Sequence, residues 1–211
     1  MAHDRDFFFA SLRQSLFAGH LSPAQVEGLT AILDGYERHR TKVSSTVPEA
    51  VSRNRLAYIF ATAYHETARR MQPVRETLAA SDAEAIAILD RAYRNGRLGS
   101  VKSPYWRRDS AGRTWLGRGF VQLTHRRNYT ALSALTGVDL VEDPARAMEM
   151  ATAVAILVEG MAAGSFTGRR LADDIAEGRC DFIGARKVIN GTDRAALVAA
   201  YAKAFAAALQ G

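Results

Sequence analysis

Two carboxylates stand out by their placement. Leu56, Ile59, Phe60 and Ala63 recur at the spacing of an amphipathic helix, and His65-Glu66 arrives at the end of that run. At 100° per residue Glu66 lies about 20° around the helix from Ile59 and about 60° from Ala63, so it continues the apolar stripe. A carboxyl partly removed from water has its charged form disfavoured and can hold a proton for donation, as a general acid must. The alternative is that the stripe ends in the last turn and Glu66 lies at a wet edge. Glu76 follows ten positions later, beyond Pro73, which the pattern predicts as the break of the helix. Either Glu76 is a solvated loop charge, or the chain folds back and sets it across a cleft from Glu66. Glycosidases need such a pair, one carboxyl protonating the leaving oxygen and the other acting on water or carbon.

Other chemistries find less support. "HETAR" begins like the His-Glu-x-x-His zinc helix, but position 69 is Arg. His3, His20, His39 and His125 form no ligand spacing, Gly-x-Ser-x-Gly is absent, and the single cysteine, Cys180, excludes an internal disulfide. No metal or cofactor is expected. His65 is expected to pack or hydrogen-bond beside Glu66, at the substrate's edge.

A second constellation is "GRGFVQLTHRRNY", Gly117 to Tyr129. Its glycines permit close backbone approach. Gln122 and Thr124 would share one face of an extended strand. Thr124 would then cap a helix with Asn128 one turn inside it, aimed at the same cleft. Amide and hydroxyl groups of this kind can bind sugar hydroxyls and hold a water. A capped turn, with Thr124 serving only the backbone, would explain the same residues.

The elements that must position these groups are mostly helical. Phe8, Leu12, Ser15 and Leu16 predict a first helix, and Ser22-Pro23 opens a second through Val26, Leu29 and Leu33. Residues 40–48 lack periodicity and read as a linker, so 1–45 is expected as a helical appendage and 46–211 as the main domain. Ser81 and Glu84 predict a capping box, with Asn95-Gly96 as the stop. Aromatic and β-branched residues around Asp109-Ser110-Ala111-Gly112 suggest a small hairpin. Three helices follow, after Thr124, from Asp143-Pro144 and after Asp193.

The chain's 211 residues carry a net charge of +6, which favours anionic partners without choosing among them. "RRDSAGR" and "HRRN" could contact phosphate, but no recognition-helix motif accompanies them, so nucleic acid is not expected as a partner. No apolar run approaches the ~18 residues of a membrane span, and the N-terminus lacks the apolar region of a secretory signal. Synthesis in the cytoplasm without Sec export is the expectation.

Together the two constellations resemble glycoside hydrolase family 19, the chitinases and phage or bacterial endolysins that share a lysozyme-like helical fold. "GVDLVEDP" (137–144) and "INGT" (189–192) also look like family segments, and the resemblance covers roughly residues 50–210. It implies a mainly α, lysozyme-like fold with a small β-hairpin beside the cleft. It implies Glu66 as general acid, Thr124 as a residue that positions the attacking water, and Gln122, Asn128 and Asn190 as substrate-binding residues. Plant members place the second glutamate farther along and carry disulfides; the short Arg75-Glu76 arrangement fits the endolysin branch and makes Glu76 the second carboxylate. Where plant chitinases have Asn and Tyr, this chain has Arg126 and Arg127, whose guanidinium groups suit a polymer bearing carboxylates. The implied function is an inverting, cofactor-free, monomeric hydrolase of peptidoglycan glycan strands, released to the wall through holin lesions. Chitin hydrolysis is the nearest alternative, and a non-enzymatic basic module for the wall or for nucleic acid the more distant one.

Overall fold

The computed structural model describes residues 4–43, 46–99 and 101–211. Among them are seven α-helices: α1 (Arg5–Ser15), α2 (Pro23–Lys42), α3 (Glu49–Glu66), α4 (Asp82–Arg94), α5 (Arg126–Thr136), α6 (Met150–Ala163) and α7 (Ala195–Ala208). Two short antiparallel pairs complete the fold, β1 (Val74–Arg75) with β2 (Arg118–Gly119), and β3 (Ile175–Ala176) with β4 (Arg179–Cys180). The protein is mainly α. No described helix is long and apolar enough to cross a membrane.

Helix ends follow the local chemistry. Asp4 caps α1 by accepting from Phe7 N, and Ser22 forms a reciprocal capping box with Gln25 ahead of Pro23. Ser81 accepts from Glu84 N, while the Glu84 carboxylate takes Ala80 N, one residue before the cap. Gly137 and Gly164 end α5 and α6 at positive φ, which glycine adopts without steric cost.

One large core joins α1, α2, α3, α6 and α7, with Phe8, Leu29, Ile32, Phe60, Leu157 and Phe205 all buried. The first two helices, expected as an appendage, therefore pack into the same core as α3, which has α7 as its main partner. Of the expected linker, residues 40–42 continue α2, and residues 44–45 lie outside the described residues. A second, smaller core gathers Ala79, Ala85, Leu89, Trp106 and Leu116 under α4 and the long loop that follows it.

Three local expectations are corrected. The turn at 109–112 exists, with Asp109 N donating to Arg113 O at 2.8 Å, but no strands flank it. The strand pairing beside the candidate residues is instead the long-range β1–β2 contact. Asp143-Pro144 opens a 3₁₀ turn, Pro144–Met148, and α6 begins only at Met150. The break after α3 is made by Thr67 and not by Pro73. The Thr67 hydroxyl donates to Ala63 O and accepts from Met71 N, and Ala68, Arg69 and Met71 take positive φ.

α2 braces that turn. Gln25 Nε2 donates to Arg69 O, Gln72 Nε2 to Ala24 O, and a Cβ at Gly28 would lie 1.6 Å from Met71 O. Gly28→Ala is expected to destabilise the protein by about 1–3 kcal/mol, as overpacking does. Gly191→Ala meets no atom within 4 Å and should stay within about 0.5 kcal/mol of wild type. Denaturant unfolding of both variants checks the contrast.

Candidate functional site

Glu66 is the last residue of α3, with its side chain 18% exposed. Arg186 Nη1 donates to Glu66 Oε1 at 2.7 Å, and Arg186 is itself 2% exposed. Arg186 sits in a 3₁₀ turn, Gly184–Val188, and its Nε donates to Asp193 O at 2.9 Å. The carboxylate is thus the partly exposed member of an ion pair whose cation is buried. Its other oxygen, Oε2, carries no hydrogen bond among the described residues. Thr62 and Tyr58, one and two turns back on α3, have buried hydroxyls without partners among the described residues. Burial pushes the Tyr58 phenol up, so it stays neutral.

Glu76 is held from two sides. Tyr105 Oη donates to Oε1 at 2.6 Å, and Gly117 N donates to Oε2 at 2.8 Å. Glu76 N in turn donates to Gly117 O at 2.7 Å, fastening this backbone to the end of the second constellation. Gly117 is where that constellation meets Glu76. A Cβ there would stand 2.7 Å from Gln122 Oε1 and 3.3 Å from both Glu76 Cβ and Thr124 Cγ2. A larger residue there would have to displace the Gln122 amide and crowd Glu76 and Thr124.

Gln122, Thr124 and Asn128 are near one another but not in the expected conformations. Gln122 lies in a turn between β2 and Leu123 with φ 52°, not on a strand. Its Nε2 donates to Val74 O at 3.1 Å, tying the turn to β1. His125, at φ 64°, is the residue before α5, so Thr124 is not its cap. The Thr124 carbonyl accepts from Asn128 Nδ2 at 2.8 Å, while its hydroxyl has no hydrogen bond among the described residues. That hydroxyl and the Asn128 carbonyl oxygen remain available to a ligand.

The remaining candidates separate. His65 is half-buried beside the Tyr201 ring of α7, in a cavity shared with Tyr64, Ala68 and Leu197. The Arg126 guanidinium lies over the Trp115 ring, 6.0 Å from its centroid, whereas Arg127 is exposed and makes no hydrogen bond or ion pair among the described residues. Asn190 is exposed, and its N donates to Arg186 O at 3.0 Å, so it closes the turn that carries Arg186. The sequence reading missed Arg186 and Tyr105. Among the described residues no three His, Cys, Asp or Glu side chains are grouped to hold a metal ion.

Backbone strain concentrates around these residues. Nine described non-glycine residues have positive φ, and seven of them fall within 68–78 or 122–125. Thr77, directly after Glu76, is β-branched, for which φ 62° is a true outlier. Such strain persists only where surrounding structure enforces it, and it clusters at functional sites. No protein-family model matches the chain, and neither does any curated protein.

Two histidines link the site to pH. Desolvation lowers His65, with Arg186 adding and Glu66 opposing; desolvation and Arg127 lower His125, whose ring faces Tyr105. Below their ordinary value of about 6.5 the unfolded chain takes up protons before the folded chain does. The stability they contribute is full above that value and is lost as pH falls through the folded values. Asp82 behaves likewise at lower pH. Its burial is outweighed by Arg118 and Arg75, which hold it below 3.8. Denaturant midpoints should fall between pH 7 and pH 5, and a His65→Asn/His125→Asn variant should flatten that slope. An unchanged slope would mean that these rings titrate alike in the folded and unfolded chain.

Proposed function

We propose that this protein is a glycosidase that cuts the glycan strands of bacterial peptidoglycan by an inverting mechanism. The observation that carries the proposal is the meeting at Gly117 of Glu76, Gln122 and Thr124, residues from two stretches more than forty positions apart. In the proposed reaction Glu66 protonates the glycosidic oxygen through Oε2, the oxygen that Arg186 leaves free. Arg186 keeps the side chain in one orientation and stabilises the carboxylate once its proton has gone. Glu76 takes a proton from water, which attacks the anomeric carbon on the opposite face of the sugar. Glu76 has one donor on each oxygen, leaving an acceptor direction towards that water. The Thr124 hydroxyl is the second contact that orients it.

Substrate choice is proposed to follow from Arg127. Arg126 lies over the Trp115 ring, whereas the exposed guanidinium of Arg127, next to Asn128, has no such contact and is the better placed of the two for the lactyl and peptide carboxylates of peptidoglycan. The proposal places the protein's action at the cell wall, after synthesis in the cytoplasm and release through holin lesions, as a monomer without a cofactor.

Glu66→Gln and Glu76→Gln should each lower turnover of purified peptidoglycan by at least about 10²-fold while the unfolding transition remains cooperative. A folded Glu66→Gln variant that still cleared the substrate would remove Glu66 as the acid. Arg127→Ala should narrow the preference for peptidoglycan over chitin oligomers of matched length, and Arg126→Ala should alter it less. Faster chitin turnover by the wild type would change the substrate assignment and leave the two carboxylates in their roles.

A further inference from the structure

Tyr105 belongs to "SPYW", a stretch to which neither constellation assigns a role. We infer that Tyr105 is the positioning residue of the Glu76 carboxylate, and that its hydroxyl, not its ring, performs that task. This rests on the proposed role of Glu76 as the base.

Glu76 needs such a group. Thr77 and Leu78 immediately follow it at φ 62° and 58°, and its side chain can rotate about three bonds. Gly117 N fixes one carboxylate oxygen, which still leaves the carboxylate free to swing about that contact. The Tyr105 bond to the other oxygen removes this freedom, because two donors on opposite oxygens define the carboxylate plane. Burial, together with the bond to Glu76, raises the phenol well above its ordinary range, so Tyr105 keeps its proton and remains the donor.

The phenol is itself anchored. Trp106, next in sequence, is fully buried, and its Nε1 donates to Asp90 Oδ1 at 2.8 Å. The hydroxyl of buried Thr114 donates to Trp106 O. The Tyr105 ring stands edge-on to Trp106, and on another side it lies against His125, with centroids 4.3 Å apart. A phenylalanine would make the same ring contacts. Only the hydroxyl touches the carboxylate.

The test compares wild type, Tyr105→Phe, Glu76→Gln and the double variant on soluble peptidoglycan fragments. Tyr105→Phe should lower kcat about 10- to 100-fold, the range that misplacing a reacting group produces. KM should stay within about twofold, and the thermal midpoint should fall by no more than about a few degrees, since one hydrogen bond is lost while ring packing is retained. In the Glu76→Gln background the same change should cost nothing further, because a residue that acts through Glu76 has nothing left to position. Wild-type kcat in Tyr105→Phe, a change confined to KM, or an equal loss in both backgrounds would each overturn the inference while leaving the glycosidase reading in place. Absence of glycan cleavage by the wild type would refute that reading, and the role of Tyr105 with it.

Discussion

A buried guanidinium organises the neighbourhood of Glu76. The Arg118 side chain is 1% exposed, and an ion so far out of water is tolerable only when paired and hydrogen-bonded. Its Nη2 donates to Asp82 Oδ2 at 2.6 Å, and its Nη1 to Tyr129 Oη at 2.8 Å and Thr114 O at 3.0 Å. These partners come from α4, α5 and the loop ahead of β2, so satisfying one cation draws three distant segments together. Arg75, opposite Arg118 across the β1–β2 pair, donates to the other oxygen of the same Asp82 at 2.8 Å. The residue before Glu76 and the residue after Gly117 are thereby pinned to one carboxylate. The contact between Glu76 and Gly117 follows from that arrangement. Arg118 Nε has no partner among the described residues, so the network is not fully satisfied there. That incomplete pairing raises the energetic cost of the burial and makes Asp82 harder to replace.

The two carboxylates belong to different packing units. Glu66 closes a helix of the large core, while Glu76 leads through Ala79 into the smaller one under α4. A short strained path joins them, with α2 braced against its first half and the Gln122 side chain fastening β1 near its end. Each positive-φ residue in that path costs on the order of 1–3 kcal/mol. The surrounding packing supplies the difference. This division gives the first helices a physical task, since removing the α2 contacts would free the turn that directly follows Glu66.

The helices were legible because their signals are local. Ser22-Pro23, Ser81 with Glu84, and the apolar spacing through Ala63 all depend on residues a turn or two apart. α3 was readable as a helix, but the amphipathic stripe expected in it was not what forms: Leu56 to Tyr64 are buried on every side, and the helix emerges only at His65 and Glu66. The cation brought to Glu66 was not readable either. Arg186 lies 120 positions away and is one of 28 Lys and Arg residues, with nothing local to distinguish it. Tyr105 was hidden for a similar reason, since its hydroxyl has meaning only once β1 and β2 are paired. Those strands are two residues long, too short for any alternation to show. The extended conformation expected at Gln122 failed because the chain turns there at positive φ, imposed by the Arg118–Leu123 bridge on a residue type with no strong preference for it. Gly117 was noticed for its freedom of approach, and the structure supplies what it approaches.

Cleavage of a glycosidic bond is tested most directly by the identity of the new chain ends. Purified peptidoglycan digested with the protein, reduced with borohydride and examined by mass spectrometry should contain reduced N-acetylmuramic acid at the new termini. The same digest with Glu66→Gln should lack them. Anhydro ends would contradict hydrolysis by an activated water. New free amines without reducing ends would show that the protein cuts peptide bonds and that the two carboxylates serve another purpose.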